Sequence, residues 1–425
     1  MTMRRTRLPK RWSPSTGCPA TLLTLTSVLI SGCGPQNNTP TEFTVTDSAG
    51  VAIVESTRPI WSEGEGWTVA PEPEVVIGEA DGDEGYLLDE VRDVKRFTDG
   101  RIAILNGGSS QVRVYDPAGR HLFDVGGPGE GPSELSQGQY LALHHDTIVV
   151  YEYLPPTLTW FDGTGEFLRS TRLPGQLKGA PPFGNAFGFL NGSAVAITTP
   201  VRPNYNPGRT REVMSIWSLD WRSEEVDSLA EIQTDEITVH NDGGWNNLTF
   251  GATTYVAASD SNVYVAPSES YSIRVLDGSG TLRRIIRRAV EPRPVVQSDV
   301  RRWAEQTLAA LNQDQDPNRV DQITQRMREI GTADVMPAYR MITVDSEENL
   351  WVEDWDDVGV DQGAFSVFRP DGAWLGTVTL PPGLPILRGR GLLASVLNIG
   401  SDYILGVWVG DYGVEQARLY RIQKG

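Results

Sequence analysis

The sequence predicts an all-β protein assembled from a repeated unit, and three observations lead to this prediction. The unit consists of an alternating apolar strand, a second strand, a tight Asp-x-x-Gly turn and a third strand, and it recurs along the chain. The two clearest turns begin at Asp116 and Asp162, about 46 residues apart, and helical spacing is confined to one stretch. Short strands that repeat every 40–50 residues or so are typical of β-propeller blades.

Residues 1–32 have the pattern of an export signal. They contain five basic residues and no acidic residue, and an apolar run at 20–30 follows the basic stretch. A positive region followed by a short apolar region is typical of a signal peptide. The run is shorter than the roughly 20 apolar residues that span a bilayer. We therefore expect residues 1–32 to be removed on export.

Cys33 follows Ile30, Ser31 and Gly32. Small residues before a cysteine resemble the lipobox of bacterial lipoproteins. In that family the thiol carries a diacylglycerol, so the resemblance implies lipidation of Cys33 and attachment to a membrane through that lipid. Gly34 stands where inner-membrane lipoproteins carry Asp, which implies a place in the cell envelope at the outer membrane. The alternative is an ordinary cleavage site beside an incidental cysteine.

The segment after the cleavage site predicts a tether. Residues 33–42 are polar and contain proline, which is typical of a flexible linker. The chain has two cysteines, Cys18 and Cys33. Cys18 lies in the segment to be removed, and Cys33 would be acylated. The folded part is therefore expected to lack disulfides, thiol nucleophiles and cysteine metal ligands.

The charge balance excludes one class of partner. The whole chain has a formal net charge of −18, and loss of the basic residues in 1–32 makes the remainder more acidic still. Binding to nucleic acid requires basic stripes that neutralise phosphates. A helix that docks on a membrane surface also carries a basic face. We therefore expect no nucleic-acid partner, and membrane contact only through the lipid.

Six copies of the repeated unit lie between residues 99 and 422. The third copy is weak because Asp220, Trp221 and Arg222 replace the usual turn. Five and seven units therefore remain alternatives to six. The last copy stops after its third strand. Residues 43–54 repeat the strand-turn-strand pattern, and we expect them to complete the final unit, because that arrangement covers an exposed strand edge. The prediction is one domain, residues 43–425, that forms a six-bladed β-propeller.

Residues 298–331 depart from the β pattern and predict a helical hairpin between blades four and five. Val300, Trp303, Leu308 and Leu311 recur at helical spacing, and Ser298 is a suitable N-cap. A second helix is expected over 319–330. The insert is either a packing element on one rim or a cap over the central channel. In a cap, Trp303, Leu308 and Leu311 would contact the propeller.

Several segments resemble the NHL repeat. The Gly-rich loop at 126–131 is similar to the loop that joins successive blades in that repeat, and residues 344–352 resemble one of its strands. Glu348 stands where the repeat has Gly, so the local turn need not be the same. With segments 45–54, 365–378 and 402–408, the chain is similar to six-bladed NHL-like bacterial lipoproteins over nearly its whole length after residue 32. The resemblance implies fold and export, and it leaves the activity open because propellers host many functions.

The sequence assigns no catalytic, cofactor-binding or metal-ligating residue. His144 and His145 are adjacent and are expected on opposite faces of a strand, and His121 is expected to be exposed. An acidic cluster is most simply a solvated loop. Its members are Asp354, Asp356, Asp357 and Asp361.

Two classes of function remain. The first is a binding or scaffold module for a protein, peptide or glycan. The alternative is a metal-dependent hydrolase, similar to the lactonases that share this architecture, with its site at the central channel. Asp89, Glu90, Asp93 and Asp345 are the carboxylates available for such a site. Because no spacing of acid, base and ligand marks them out, binding is favoured and no cofactor is expected.

Overall fold

Each repeated unit folds into an antiparallel sheet. In three of the units an Asp-x-x-Gly turn, which begins at Asp116, Asp162 or Asp277, joins the last two strands of the unit. The computed structural model describes residues 42–136, 138–153, 155–173, 185–190, 194–201, 206–220, 225–310, 316–355, 363–381, 397–410 and 413–425. In the second unit, Asp162 Oδ1 accepts hydrogen bonds from the N–H groups of Thr164 and Glu166. Gly165 has a φ of 93°, which glycine adopts without strain.

The described residues form six sheets, and in the first four of them one strand precedes the three strands that the repeated unit predicts. The chain begins with β1 (Phe43–Ser48), β2 (Val51–Ser56), β3 (Thr68–Val69) and β4 (Val75–Ile77). The first sheet contains β5 (Val91–Arg96), β6 (Ile102–Asn106), β7 (Gln111–Tyr115) and β8 (His121–Gly126). The second contains β9 (Gly138–His144), β10 (Thr147–Tyr153), β11 (Pro156–Phe161) and β12 (Phe167–Arg172). The third contains β13 (Asn185–Leu190), β14 (Ala194–Val201), β15 (Gly208–Asp220), β16 (Val226–Val239) and β17 (Trp245–Asn247).

The second half of the chain forms three more sheets and two helices. The fourth sheet contains β18 (Thr254–Ala258), β19 (Asn262–Pro267), β20 (Ser272–Asp277) and β21 (Leu282–Arg288). The helices α1 (Gln297–Ala310) and α2 (Pro317–Ile330) follow β21. The fifth sheet contains β22 (Tyr339–Val344), β23 (Leu350–Asp354), β24 (Ala364–Phe368) and β25 (Trp374–Thr379). The sixth contains β26 (Leu397–Ile399), β27 (Tyr403–Val409) and β28 (Glu415–Gln423).

Six apolar clusters hold the sheets together, and each lies between two consecutive sheets. Leu105 of the first sheet and Leu141 of the second share one cluster. Another cluster joins the last sheet to the first, with Leu405 on one side and Ile104 on the other. The sheets therefore form a closed cycle around their first strands, and most of these strands contact the first strand of the next sheet.

The last sheet is completed by β4 and β3, which pair with β28. The prediction that residues 43–54 complete this sheet is wrong. Instead, β1 and β2 form a hairpin, and β2 pairs in parallel with β21 at the edge of the fourth sheet. The chain then passes the fifth sheet, where Trp61 N–H donates to the Leu375 carbonyl at 2.8 Å. An alternating strand fits any open sheet edge, so the pattern of residues 43–54 did not identify which edge they cover.

Two additions to the repeated unit lie at one end of the cycle, which we call the entry face. It is the end at which the first strand of each sheet begins, for example at Val91, Thr254 and Tyr339. There β15 and β16 extend past β14, and β17 pairs with β16. The helices α1 and α2 connect β21 to β22 at the same end. Among the described residues, no helix is both long and apolar enough to cross a membrane.

Candidate binding face

Four of the first strands carry a β-bulge close to the entry face. In each bulge, the first strand contains one residue more than the stretch of the second strand with which it pairs. Bulges bend a strand and re-aim side chains, and they are frequent beside functional sites. The same device is therefore repeated at one end of the cycle. The extra residues are Arg92, Gln139, Phe187 and Arg340.

Side chains at the ends of the second strands fix the loops that enter the first strands. The Asn106 side-chain oxygen accepts a hydrogen bond from Asp89 N–H at 2.8 Å. In the next sheet, a carboxylate oxygen of Glu152 accepts one from Ser136 N–H at 2.7 Å. Both acceptor residues are buried. These bonds join backbone donors of the loops to buried side chains, so the loops at the entry face are held in place.

An aromatic cluster attaches the helical insert to the entry face. Trp303 of α1 lies edge-on to Phe250, which precedes β18, with ring centroids 5.7 Å apart. Trp355, which follows β23, lies 5.9 Å from both rings. Val300 is buried in the same cluster. Leu308, expected to contact the sheets, instead packs between the two helices, and Leu311 lies outside the described residues.

A buried carboxylate fixes the first turn of α1. Asp299 is fully buried, and its carboxylate oxygens lie 2.9 Å from Arg293 Nη1 and 3.0 Å from Arg302 Nη2. The carboxylate also accepts a hydrogen bond from Val296 N–H. Burial alone would raise the pKa of Asp299, but these three donors hold it below its usual value. The charged contact therefore fixes the first turn of α1 to the segment that leads into it, whereas the aromatic cluster attaches the insert to the entry face.

The β15–β17 extension contacts the same insert. The segments around Thr249 and Thr332 are joined by a β-bridge, and Ala333 N–H donates to the Thr249 carbonyl at 2.9 Å. Arg209 of β15 lies 3.3 Å from Glu236 of β16 and 3.7 Å from Asp334, next to the insert. The extension and the insert thus form a joined structure on the entry face.

Asp93 is one of the carboxylates available for a metal site at the channel, but its oxygens accept hydrogen bonds from other groups of the protein. Its Oδ1 accepts hydrogen bonds from Val94 N–H at 2.9 Å and from Lys95 Nζ at 2.6 Å. Its Oδ2 accepts one from Leu141 N–H of the second sheet at 2.9 Å. Asp93 therefore connects the first strands of two sheets, and both of its oxygens are used.

The other three candidate carboxylates are spread over the molecule. Asp345 follows β22, at the opposite end from Asp89 and Glu90, which precede β5. Its oxygens accept hydrogen bonds from Asn349 and Trp351, and burial raises its pKa. Asp89 and Glu90 are exposed. Within the ranges that the structure describes, no three His, Cys, Asp or Glu side chains come together to hold a metal ion.

Asp354 belongs to a buried network that the sequence pattern did not indicate. It is the last residue of β23, and its carboxylate accepts hydrogen bonds from Tyr271 at 2.8 Å, Arg288 at 2.8 Å and Ser366 at 2.6 Å. Burial raises the pKa of Tyr271 well above its usual value. The expectation of a solvated loop is therefore wrong for Asp354, because its partners come from the neighbouring sheet and strand. Asp356, Asp357 and Asp361 lie outside the described residues.

The histidines also differ from expectation. His145 has a φ of 54°, in the turn after β9, so its ring lies beside that of His144 with centroids 4.4 Å apart. The expectation of opposite faces is wrong because His145 is not part of a strand. His121 is partly buried, with Nε2 at 2.7 Å from Asp124 Oδ1. Among the described residues, neither the His144–His145 pair nor His121 belongs to a group of three or more side chains that could hold a metal ion.

Comparison with known proteins supports the fold. No protein-family profile and no curated protein matches the chain. A solved structure of a DUF4221-family member from Bacteroides vulgatus is 12% identical, with a TM-score of 0.51, covering 85% of this chain and 99% of that chain. A Bacteroides fragilis protein provisionally described as exported is 12% identical, with a TM-score of 0.47, covering 88% and 99%.

A third solved structure is virginiamycin B lyase from Staphylococcus aureus. It is 9% identical, with a TM-score of 0.38, covering 78% of this chain and 94% of that chain. These identities bear on the fold alone. Together with the closed cycle of sheets, the likeness to the Bacteroides vulgatus structure identifies this fold as a β-propeller.

Proposed function

We propose that this chain is a lipid-anchored, extracytoplasmic β-propeller with six NHL-like blades, which binds a protein, peptide or glycan on its entry face. The anchor would be Cys33, in the outer membrane of the cell envelope, and residues 33–42 would be the tether. The helical insert would lie between blades four and five. No nucleic-acid partner and no cofactor is part of this proposal.

One observation carries the binding role: the two additions to the repeated unit lie at the same end and are joined to each other. The extension of β15–β17 contacts the segment after α2 through Thr249 and Ala333. The α1 side of the insert reaches the sheets through Trp303. In repeat folds, insertions tend to lie on the binding face. Among the described residues, these two additions are therefore the best candidates for a binding surface.

The alternative, a metal-dependent hydrolase at the central channel, has less support. Asp93 and Asp345 use their carboxylate oxygens for structural hydrogen bonds. Asp345 also lies at the opposite end from Asp89 and Glu90. Metal analysis of the purified chain, with a lactone hydrolysis assay, would test this alternative. A stoichiometric divalent cation together with turnover would favour the hydrolase.

Array binding by two soluble proteins tests the binding role. The first is the chain from residue 34 onward, and the second has residues 298–331 replaced by a short Gly/Ser linker. Such a linker can span the gap because Pro294 and Val335 already form an antiparallel bridge. We expect glycans or peptides bound by the first protein to be lost by the second, with strand content unchanged by circular dichroism. Equal binding by both would contradict a binding site that includes the helical insert.

The anchor needs a separate test. Cys33→Ser should abolish lipid labelling and release the chain from membranes or leave it unprocessed, because only a thiol accepts the diacylglycerol. Membrane fractionation and labelling with a fatty-acid analogue measure this outcome. A processed Cys33→Ser protein that still sediments with membranes would contradict the assignment.

A further inference from the structure

The groove between α1 and α2 has the composition of a site for a polar ligand. It has a volume of about 530 Å³ and is lined by residues 297–301 of α1 and 321–328 of α2. Volumes of about 300–1,000 Å³ are usual for small-ligand sites, but those sites are mostly apolar. Here every lining side chain is polar, and they include Gln297, Arg301, Gln325 and Arg328.

The walls of the groove are held by the packing of the two helices. Ala304, Leu308 and Val320 form a buried cluster between α1 and α2. Arg301 Nη1 of α1 lies 2.5 Å from Asp321 Oδ1 of α2 and so bridges the helices at the groove. Glu305 lies 3.3 Å from Arg301 Nε. The arginine is therefore positioned before any ligand arrives.

The two arginines differ in the donors they leave open. Arg301 shares its five N–H donors with Asp321 and Glu305, and part of the set remains free. Arg328, in the last turn of α2, is exposed and forms no ion pair with any residue that the structure describes. A guanidinium whose N–H groups are not engaged can bind a carboxylate through two parallel hydrogen bonds.

We propose that this groove binds an acidic carbohydrate, namely an oligosaccharide that contains uronic acid. Arg328 binds the uronate carboxylate, and the Gln297 and Gln325 amides bind hydroxyl groups. An acidic peptide fits less well, because the lining offers no aliphatic or aromatic side chain to receive apolar groups. This assignment rests on the proposed binding role and names the ligand class for the insert.

A trimer of galacturonic acid, with neutral galactotriose as the comparison ligand, tests the assignment by calorimetry on the full soluble chain. We expect the trimer to bind, galactotriose to bind more weakly, and Arg328→Gln to weaken trimer binding about tenfold or more, because a charge-assisted contact is lost. Arg326→Gln is the matched control, since Arg326 is exposed on the same helix and does not line the groove. Both variants should melt at the wild-type temperature, because both side chains lie on the surface.

Two results would overturn the groove assignment: no binding of the trimer by the wild-type chain, or equal affinities for wild type and Arg328→Gln. The array experiment separates this failure from failure of the binding role. If the chain lacking residues 298–331 loses an array ligand while the trimer never binds, the entry-face role stands and the uronate assignment is wrong.

Discussion

The glycine that ends an Asp-x-x-Gly turn lies against the outer strand of the preceding sheet. A Cβ on Gly165 would lie 2.9 Å from Phe123 Cδ2, on β8. A Cβ on Gly280 would lie 2.4 Å from the Leu229 carbonyl oxygen, on β16. Gly372 ends a related turn that begins at Arg369, and it approaches β21 in the same way. The glycine therefore meets two requirements, a left-handed backbone and a close approach between sheets.

Replacing Gly280 with alanine should lower the free energy of unfolding by about 2–4 kcal/mol, because backbone strain adds to a clash with Leu229. Urea unfolding followed by fluorescence measures the change. Gly243→Ala is the control, since Gly243 has a φ of 83° and no atom within 4 Å of the added Cβ. That control should cost only about 1–2 kcal/mol. Equal costs would show that contact between sheets does not explain the turn glycine.

The turn aspartate gives stability that depends on pH. Hydrogen bonds from the Ser279 hydroxyl, from Arg283 and from backbone N–H groups hold the pKa of Asp277 well below its usual value. A lowered folded-state pKa means that this stabilisation is present above the unfolded pKa of about 4 and is lost as the pH falls through the folded value. Asp277→Asn should therefore remove part of the slope of melting temperature against pH below about pH 4. An unchanged slope would contradict this role.

Local sequence patterns predicted the turns well, but they did not predict every backbone conformation. Glu348 stands where the NHL repeat has Gly, yet it has a φ of 62°, so the turn takes the left-handed form despite the substitution. The four hydrogen bonds to Asp345 hold this turn. The sequence could name Asp345 as a candidate, but only the fold shows that its oxygens are used locally.

At the scale of elements, the helical insert joins the sheets through contacts that lie far apart in the sequence. Helical spacing located both helices, because a 3.6-residue period is visible in one segment alone. The same spacing could not separate residues that face the sheets from those that face the other helix. Val300 and Trp303 contact the entry face, whereas Leu308 packs against Val320. The joined extension was not foreseen, because its partner Thr249 lies outside any motif.

Asp299→Asn should loosen the insert without unfolding the sheets. The amide cannot balance Arg293 and Arg302, both of which lie within 3.0 Å of the buried carboxylate. We expect faster hydrogen exchange across residues 297–330 and a loss of about 1–3 kcal/mol. Asp321→Asn is a comparison on the exposed side of the hairpin, where a smaller effect is expected. Unchanged exchange in Asp299→Asn would show that the buried carboxylate does not stabilise the start of α1.

At the scale of the whole molecule, closure of the cycle depends on a strand of three residues. The turn spacing indicates a repeat of about 46 residues, but because the third unit lacks the usual turn it left five or seven units as alternatives to six. The closing strand carries no such signal: β4 is only Val75–Ile77, after an acidic and Pro-containing segment. Its identity is determined by which residues can be buried between the last and first sheets. The closing strand can therefore be identified only from the arrangement of the sheets in the fold, and a local sequence pattern does not identify it.

Ile77→Ala should destabilise the whole cycle. Ile77 is fully buried between the last and first sheets, and its truncation leaves a cavity that should cost about 2–4 kcal/mol. Because every sheet packs on two neighbours, we expect one melting transition at a lower temperature instead of separate loss of the last sheet. Val76→Ala is the matched control on the same strand, since Val76 is 47% exposed and its truncation should cost less than about 0.5 kcal/mol. Equal melting temperatures for the two variants would show that β4 does not close the cycle.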